Sequence, residues 1–459
     1  MIENVVLVVS DTLRLDHLGC YGNESVRTPN MDSLAERSTR FTSAFPESLP
    51  TIPVRRALHT GRRAYPFDGY SPVKWDIVYL PGWEPMRNDE DTLAENLASA
   101  GYQNGIVTDT LPYFAPGMNF TRGFHQWDFI RGQQNDRWRS PRTVTEEALS
   151  SQGDPGELMR NPHGTVPQTF ANIGAMEGEE GTSTARTFLS AIDFIEENAG
   201  GGPFYLLVDC FDPHEPWIAP DRYYELYGDP DYGGRRLMFA HYGPADDYTD
   251  EEVEHIRAQY SGLVTLVDSW LGRFLDRLEE LGLTEDTAVM LTSDHGTNFC
   301  ENPRRVIGKP SYSMYPAVMR LPLLVSVPGM DGGVCDEFVY DMDVTATIYD
   351  LCGVEPSQGI DSRSLMPLVS GGGGWEPREY VTCRYGHDLC YIDRERWMIT
   401  DVDGASWESF DLSSDPGCQE AGWEAGEADR KLAWERLVED AGGSLPDYRG
   451  RPRTDAIGR

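Results

Sequence analysis

Three short apolar runs along the chain each end in polar or acidic residues. They are VVLVVSD, which ends at Asp11, FYLLVDCFD, which begins at Phe204, and TAVMLTSDH, which ends at His295. Continuous apolar runs of this length are typical of strands that are buried on both faces of a parallel sheet. Because the carboxyl ends of parallel strands meet at one edge of the sheet, the pattern predicts a single site along that edge.

Segments in which apolar residues recur with helical spacing separate these predicted strands. The sequence predicts a short helix from Pro29, a second helix that stops near Gly101, and a long helix from about Glu251 to Leu281 with one apolar face. Such alternation predicts an α/β fold with a doubly wound, mostly parallel sheet. We assign residues 1–375 to this α/β domain.

The pattern changes after the run Gly371 to Gly374, which predicts a linker or loop. The following stretch, YVTCRYGHDLCYIDRERWMITD, predicts short antiparallel strands, so residues 376–459 are assigned to a small C-terminal α+β subdomain. Residues 130–185 are rich in Gly, Pro, Asn and charge. They are expected to form a long loop or insertion over the site.

The chain is strongly acidic, with 39 basic and 75 acidic residues among 459 and a formal net charge of −36. Such a surface repels phosphates, which argues against binding of bare nucleic acid. Lysine is nearly absent, since Lys74, Lys309 and Lys431 are the only three. An acidic, lysine-poor chain suits concentrated salt, so a halophilic source is a hypothesis.

Cysteine usage and hydropathy bear on the compartment. The eight cysteines show no C-x-x-C spacing, which favours free thiols in a reducing cytoplasm. No basic leader precedes the run from Val5, and no apolar stretch approaches the roughly 18 residues that span a membrane. A cytoplasmic protein with no membrane partner is therefore expected; the sequence does not indicate its oligomeric state.

The stretch SLPTIPVRRALHTGR, residues 48–62, resembles the sulfatase signature Cys/Ser-x-Pro-x-Arg-x-x-x-x-Thr-Gly, except that Thr51 stands at the first position. Five further segments resemble the sulfatase branch of the alkaline phosphatase superfamily in the family's order. They are residues 10–22, 212–217 (DPHEPW), 267–296, 308–310 (GKP) and 343–356. The resemblance implies a metal-dependent hydrolase of a small anionic ester, and it spans most of residues 4–370.

The resemblance also implies a metal site. Asp11, Asp294 and His295 would bind a divalent ion, with Thr51 completing the shell. Oxygen ligands with one imidazole suit Ca²⁺, Mg²⁺, Mn²⁺ or Zn²⁺. Where the family commonly has a second acidic residue after the first, this chain has Thr12, which removes one expected ligand.

Three further side chains take the places of the family's catalytic residues. Arg55 lies one helical turn after Thr51 and would point its guanidinium at the nucleophile and the bound anion. His214 would contact the transferred group or protonate the leaving group, and Lys309 would lie near the ester.

Threonine changes the expected chemistry. Sulfatases convert their cysteine or serine to formylglycine, and threonine is not a known substrate of that conversion. Thr51 would therefore act directly as a metal-bound nucleophile, as in the nucleotide phosphodiesterase and phosphonoacetate hydrolase relatives, which use two ions. Asp212 and His387 are spare candidates for a second site. Where sulfatases usually carry Gly-Lys-x-His to grip sulfate, this chain reads TDTL from Thr108, with neither lysine nor histidine.

The sequence therefore predicts cleavage of a phosphate, phosphonate or sulfate ester, with phosphorus preferred. Two alternatives stay open. One is a transferase that passes a group from Thr51 to an alcohol, as membrane-bound phosphoethanolamine transferases of the superfamily do. The other is a non-catalytic protein that keeps the fold to bind an anion.

Overall fold

A computed structural model describes residues 2–70, 80–153, 164–420 and 423–450. In chain order the strands are β1 Asn4–Ser10, β2 Thr39–Phe45, β3 Ser48–Leu49, β4 Gln103–Thr108, β5 Gln126–Phe129, β6 Phe204–Cys210, β7 Gly243–Pro244, β8 Thr287–Thr292, β9 Asn298–Phe299, β10 Val306–Gly308, β11 Leu321–Ser326, β12 Gly333–Cys335, β13 Val339–Tyr340, β14 Tyr380–Tyr385, β15 Asp388–Asp393, β16 Arg396–Asp401 and β17 Trp407–Asp411.

The α-helices are α1 Pro29–Glu36, α2 Ile52–Thr60, α3 Leu93–Ser99, α4 Glu146–Leu149, α5 Thr165–Ile173, α6 Ser183–Asn198, α7 Asp221–Tyr224, α8 Asp250–Glu280, α9 Pro316–Met319, α10 Asp343–Cys352, α11 Met366–Val369 and α12 Glu427–Asp440. Short 3-10 helices cover Leu15–His17, Gly19–Tyr21, Leu111–Phe114 and Pro141–Thr143. In the described part of the chain, none of these helices combines the length and apolar character that a membrane crossing requires.

The largest sheet has the order β12-β2-β11-β8-β1-β6-β4-β5, with β13 beside β2. Most neighbouring strands run parallel, while β11 is antiparallel to both β2 and β8. The predicted mostly parallel α/β sheet is confirmed.

Helices cover both faces of this sheet. Each face of the sheet packs against its own apolar core, and alternate residues of β1 point to opposite cores. Val5, Leu7 and Val9 belong to one apolar cluster, and Val6 and Val8 belong to the other. Helices α2, α3 and α10 pack on the first face, and α1, α6 and α8 on the second. The long helix predicted over 251–281 is α8, which opens with a capping box at Thr249.

A second sheet lies near the C-terminus, in the order β17-β16-β15-β14-β3. Strands β14 to β17 are antiparallel, as the sequence predicts, but β3 comes from the N-terminal part and runs parallel to β14, with Ser48 opposite Arg384 and Leu49 opposite Tyr385. The division at residue 375 stays a prediction.

Residues 130–185 were expected to form a long loop or insertion. Their described portion includes α4, α5 and the start of α6, so the loop alternative was wrong. In α5, Pro167, Ala171 and Asn172 are buried, so a short packed face stabilises a helix despite weak sequence signals. All eight cysteines are free, as predicted.

Candidate active site

The strands predicted to end at one site are neighbours in the sheet. Strand β1 lies between β8 and β6, so the three carboxyl ends meet. Asp11 follows β1 directly, and Asp294 and His295 follow β8 by two and three residues. The topology therefore brings side chains from separated parts of the chain to one edge.

Asp11, Asp294 and His295 are fully buried, and their ligand atoms lie within 4.8 Å of one another. The His295 Nε2 atom is 3.3 Å from Asp294 Oδ2 and 3.8 Å from Asp11 Oδ1. Among the described residues, no other group of three His, Cys, Asp or Glu side chains is close enough to share an ion. Such spacing suits donors that surround one cation.

Thr51 precedes helix α2 and faces the same group. Its Oγ1 atom lies 3.4 Å from His295 Nε2. Pro53 is the second residue of α2. The N–H groups of the first helical turn have no acceptor within the helix, so proline loses no hydrogen bond there and the helix can start immediately after Thr51. Thr51 has a φ of 39° and Thr12 one of 62°, which are strained values for β-branched residues and are concentrated at functional sites.

Arg55 lies one turn into α2 and is fully buried. Its Nε and Nη2 atoms donate to the two carboxylate oxygens of Asp209, each at 2.8 Å, and Nη2 is 3.0 Å from Asp11 Oδ2. Its Nη1 atom pairs with Asp294 and lies 3.4 Å from the Thr51 carbonyl oxygen. We call Arg55, Asp11, Asp209, Asp294 and His295 the Arg55 cluster.

Asp209 is a member of this cluster that sequence reasoning missed. It lies inside the apolar strand β6, and Tyr113 and Thr110 also donate to it, at 2.6 and 3.1 Å. A signal was present, because a lone carboxylate within a buried apolar run requires a cationic or hydrogen-bonding partner.

The Arg55 cluster holds more negative than positive charge. Burial and the charge of Asp294 raise the pKa of Asp11 well above its usual range. For Asp294, burial is outweighed by His295 and Arg55, and the pKa is lowered. Burial lowers the pKa of His295 to about 3, so the neutral imidazole does not offset the three carboxyl groups, which share one guanidinium.

The donor set fits a divalent cation. The Asp11 Oδ2 atom is buried and accepts no hydrogen bond, although the Arg55 guanidinium lies near it. A divalent ion would favour the ionised form of Asp11 and offset the excess negative charge, and two carboxylates with a neutral imidazole are suitable ligands. Thr51 Oγ1 lies close enough to join them.

Thr12 connects the predicted lysine to this group. Its hydroxyl donates to Asp11 Oδ1 at 2.7 Å, and Lys309 Nζ lies 3.4 Å from Thr12 Oγ1. Lys309 is also 3.4 Å from Glu215 Oε2. The buried Lys309 side chain is therefore held between Thr12 and Glu215, a residue that the sequence did not single out.

His214 borders the cluster on the β6 side. Its ring centroid is 6.4 Å from that of His295, and burial lowers its pKa to about 3. The His214 Nδ1 atom lies 2.7 Å from the Glu215 carbonyl oxygen. Because a carbonyl only accepts, Nδ1 carries the hydrogen and Nε2 presents a lone pair.

An acid, Asp109, lies in the TDTL segment that begins at Thr108. Asp109 is fully buried and accepts a hydrogen bond from the Phe211 N–H at 2.7 Å. Burial and the charge of Asp212 raise the pKa of Asp109 to about 8. This part of the site therefore offers an anion no positive side chain from residues 108–111.

The two spare candidates for a second metal are not brought together. Asp212 accepts hydrogen bonds from Thr184 and Gln133, whereas His387 is half-buried and feels chiefly the charge of Arg384. They share no partner, and neither joins a three-ligand group in the described ranges.

Two family models match the chain. The model described as Sulfatase matches residues 3–354, and the model described as N-sulphoglucosamine sulphohydrolase, C-terminal, matches residues 311–425. The first match includes every candidate residue discussed above except His387.

Similar proteins include both sulfatases and a phosphonate hydrolase. An arylsulfatase from Clostridium perfringens is 25% identical over 91% of this chain and 89% of its own. The multifunctional alkaline phosphatase superfamily protein PehA from Trinickia caryophylli is 24% identical over 90% of each chain. The crystal structure of a phosphonate monoester hydrolase of Agrobacterium radiobacter superposes with a TM-score of 0.72 at 21% identity, covering 96% of this chain and 95% of that one.

Proposed function

We propose, from the premise that the chain belongs to the sulfatase family, that this ester hydrolase cleaves a phosphate, phosphonate or sulfate ester with Thr51 as the nucleophile. The observation that carries the proposal is the position of Thr51 Oγ1, 3.4 Å from His295 Nε2 beside the buried carboxylates of Asp11 and Asp294. A serine-like hydroxyl needs an activating environment to attack an ester, and this edge offers one.

Asp11, Asp294 and His295 would hold the divalent ion, with Thr51 beside them. When bound, such an ion supplies the positive charge that polarises the ester and favours loss of the hydroxyl proton. Arg55 keeps Asp11 and Asp294 in place through its own contacts. Lys309 would add positive charge for the ester's non-bridging oxygens.

The reaction needs two displacements. The Thr51 oxygen forms a bond to phosphorus or sulfur, and the bond to the leaving alcohol oxygen breaks. Water then attacks the same atom and the bond to the Thr51 oxygen breaks. The proton that Thr51 gives up in the first step leaves on the alcohol, and one proton of the water returns to Thr51. His214 Nε2, which carries no hydrogen, can accept a hydrogen bond from that water and orient it, but in this form it cannot protonate the leaving group.

Phosphorus is the preferred central atom. Formylglycine sulfatases release sulfate by collapse of the aldehyde hydrate, a route that Thr51 does not have. The acid at residue 109, in place of the sulfate-gripping lysine, supports the same preference. The names of the similar proteins include both kinds of enzyme, an arylsulfatase and a phosphonate monoester hydrolase.

The test measures metal content per chain together with turnover of p-nitrophenyl sulfate, phosphate, phosphodiester and phosphonate esters in high salt. We expect turnover of a phosphorus ester, a loss of at least about 1,000-fold in kcat for Thr51→Ala, and partial activity for Thr51→Ser. Full activity of Thr51→Ala on every ester would refute the proposal. Sulfate as the preferred substrate would overturn the preference for phosphorus, and product release that depends on an added alcohol would indicate a transferase.

A further inference from the structure

A cavity of about 520 Å³ lies near the carboxyl end of β6. It is bounded by residues 132–134, by helices α5 and α6, and by residues 216–222. Asp212 and Pro216 line it, while His214 and Glu215, between them in sequence, face His295 and Lys309. The short segment 212–216 therefore borders both the cavity and the proposed reaction centre.

Asp212 lines this cavity and Asp109 is buried near Asp212 without lining it, and neither has a basic partner in the described chain. Asp212 accepts hydrogen bonds from the neutral side chains of Gln133, at 3.1 Å, and Thr184. Asp109 is buried near Asp212, and its Oδ2 atom has no hydrogen-bond partner. Within the described residues, neither carboxylate forms an ion pair with Lys or Arg. We call these residues the Asp109–Asp212 pair.

Ser183 provides an independent sign of a missing ligand. It is the first residue of α6, it lines the cavity, and it is only 3% exposed. Its Oγ atom is buried and has no hydrogen-bond partner. Buried hydroxyls are nearly always satisfied in folded proteins, so an unsatisfied one on a cavity wall indicates a polar group that arrives from outside.

The other charged groups on the cavity wall do not neutralise the pair. Arg222 is the only basic residue among those that line the cavity in the described chain, and it is paired with Glu179. Asp221 adds a further negative charge. The remaining walls are largely aliphatic, with Ile173, Met176, Ile218, Leu263 and Leu266.

We propose that this cavity binds an alkylammonium group carried by the organic part of the ester substrate. The Asp212 carboxylate would receive the positive charge, Ser183 Oγ would accept an N–H bond where the nitrogen has one, and the aliphatic walls would contact the carbon atoms. The inference rests on the proposed function. Asp109, which is buried near Asp212, would add negative charge once a bound cation favours its ionised form.

The first test measures binding to the metal-loaded protein at constant ionic strength by titration calorimetry. The probes are ethanolamine and choline, each with its neutral analogue, propan-1-ol and 3,3-dimethylbutan-1-ol. We expect at least one cation to bind at least tenfold more tightly than its analogue and to lose at least tenfold in affinity in Asp212→Asn. Asp193→Asn, an exposed residue of α6 with the same charge change, is the matched control and should bind like the wild type. Equal binding of cation and analogue would overturn the inference.

The second test compares two esters of the class that the wild type hydrolyses, one with a 2-aminoethyl group and one with a propyl group. The ratio of their kcat/KM values should favour the aminoethyl ester and fall at least tenfold in Asp212→Asn. Ser183→Ala removes one hydrogen-bond acceptor and should lower the ratio about threefold. This variant replaces Asp212→Asn in the test if Asp212→Asn does not fold. An unchanged ratio in both variants would overturn the inference while leaving ester hydrolysis intact.

A metal ion is the competing occupant, and it is separately detectable. If Asp212→Asn contains one metal ion fewer per chain than the wild type, the Asp109–Asp212 pair binds a metal ion, and the alkylammonium proposal is overturned. If the wild type hydrolyses none of the p-nitrophenyl esters, the proposed function fails, and the calorimetric comparison still decides whether the cavity selects ammonium groups.

Discussion

The Arg55 cluster and the Asp109–Asp212 pair are two groups of buried carboxylates that use their charge differently. Asp209 and Asp212 are only three residues apart, at the end of β6 and just beyond it. Asp209 receives two hydrogen bonds from the Arg55 guanidinium, whereas Asp212 receives only neutral donors. The Arg55 cluster contains its own cation, the Arg55 guanidinium, and three of its side chains are close enough to share one metal ion. Within the described residues, the Asp109–Asp212 pair has no cationic partner. Both groups are buried, so burial does not distinguish them. A buried carboxylate with a basic partner stabilises the fold, whereas one with only neutral donors is a candidate for binding a cationic ligand.

The largest difference between the two groups should be in metal binding. Asp294→Asn removes one ligand of the three, so we expect loss of the bound ion and a fall in kcat of at least about 1,000-fold. Asp212→Asn makes the same chemical change in the pair and should keep the wild-type metal content. Metal analysis by mass spectrometry and kcat on the preferred ester measure the effect. An Asp294→Asn protein that retains its ion would break the distinction.

Stability should also depend on the built-in cation. Arg55→Met leaves Asp11, Asp209 and Asp294 buried without their guanidinium, so the free energy of unfolding should fall by about 3–5 kcal/mol. Urea denaturation measures this change. Arg56→Met is the control, because its acidic neighbours lie 3.6 and 3.7 Å away and the side chain is nearer the surface; its effect should stay below about 1 kcal/mol. Equal effects of the two variants would contradict the assignment.

The pair should make the protein more stable at low pH than at high pH. The pKa of Asp109 is raised to about 8, above its ordinary value of 3.8, so the folded state holds a proton that the unfolded chain releases. This contribution to stability is complete below pH 3.8 and is lost as pH rises towards 8, by up to about 1.4 kcal/mol per pH unit. Asp109→Asn should therefore raise the Tm of the ligand-free protein more at pH 8 than at pH 5. A Tm increase that does not vary with pH would exclude this titration.

His59 sharpens the comparison as a buried polar group packed against aromatic rings. Its Nε2 atom has no partner, its ring contacts Tyr113, Phe120 and Phe124, and burial lowers its pKa to about 3. Because the folded pKa is depressed, stability is complete above pH 6.5 and falls as pH drops towards 3. Between pH 6.5 and 5.5, the free energy of unfolding of the wild type should fall by about 1 kcal/mol more than that of His59→Phe. The same pH dependence in wild type and variant would show that His59 does not contribute.

Sequence patterns predicted the central sheet because its strands are long enough to leave apolar runs. They also placed Asp11, Asp294 and His295 at one edge, since parallel strands end together. The joining of Arg55 to Asp209 was not predicted, because it depends on how α2 sits on the sheet. The α5 helix was missed because its packed face is short, and the pairing of β3 with β14 because two residues carry no periodicity.

The pairing of β3 with β14 has a consequence for how the protein is made. Strand β3 ends two residues before Thr51, and its neighbour in the C-terminal sheet ends at Tyr385. Synthesis on the ribosome proceeds from the N-terminus, and early segments can fold before late ones exist. The segment that carries the nucleophile nevertheless gains its last strand neighbour only when most of the chain has emerged, so a nascent or truncated chain lacks the finished site.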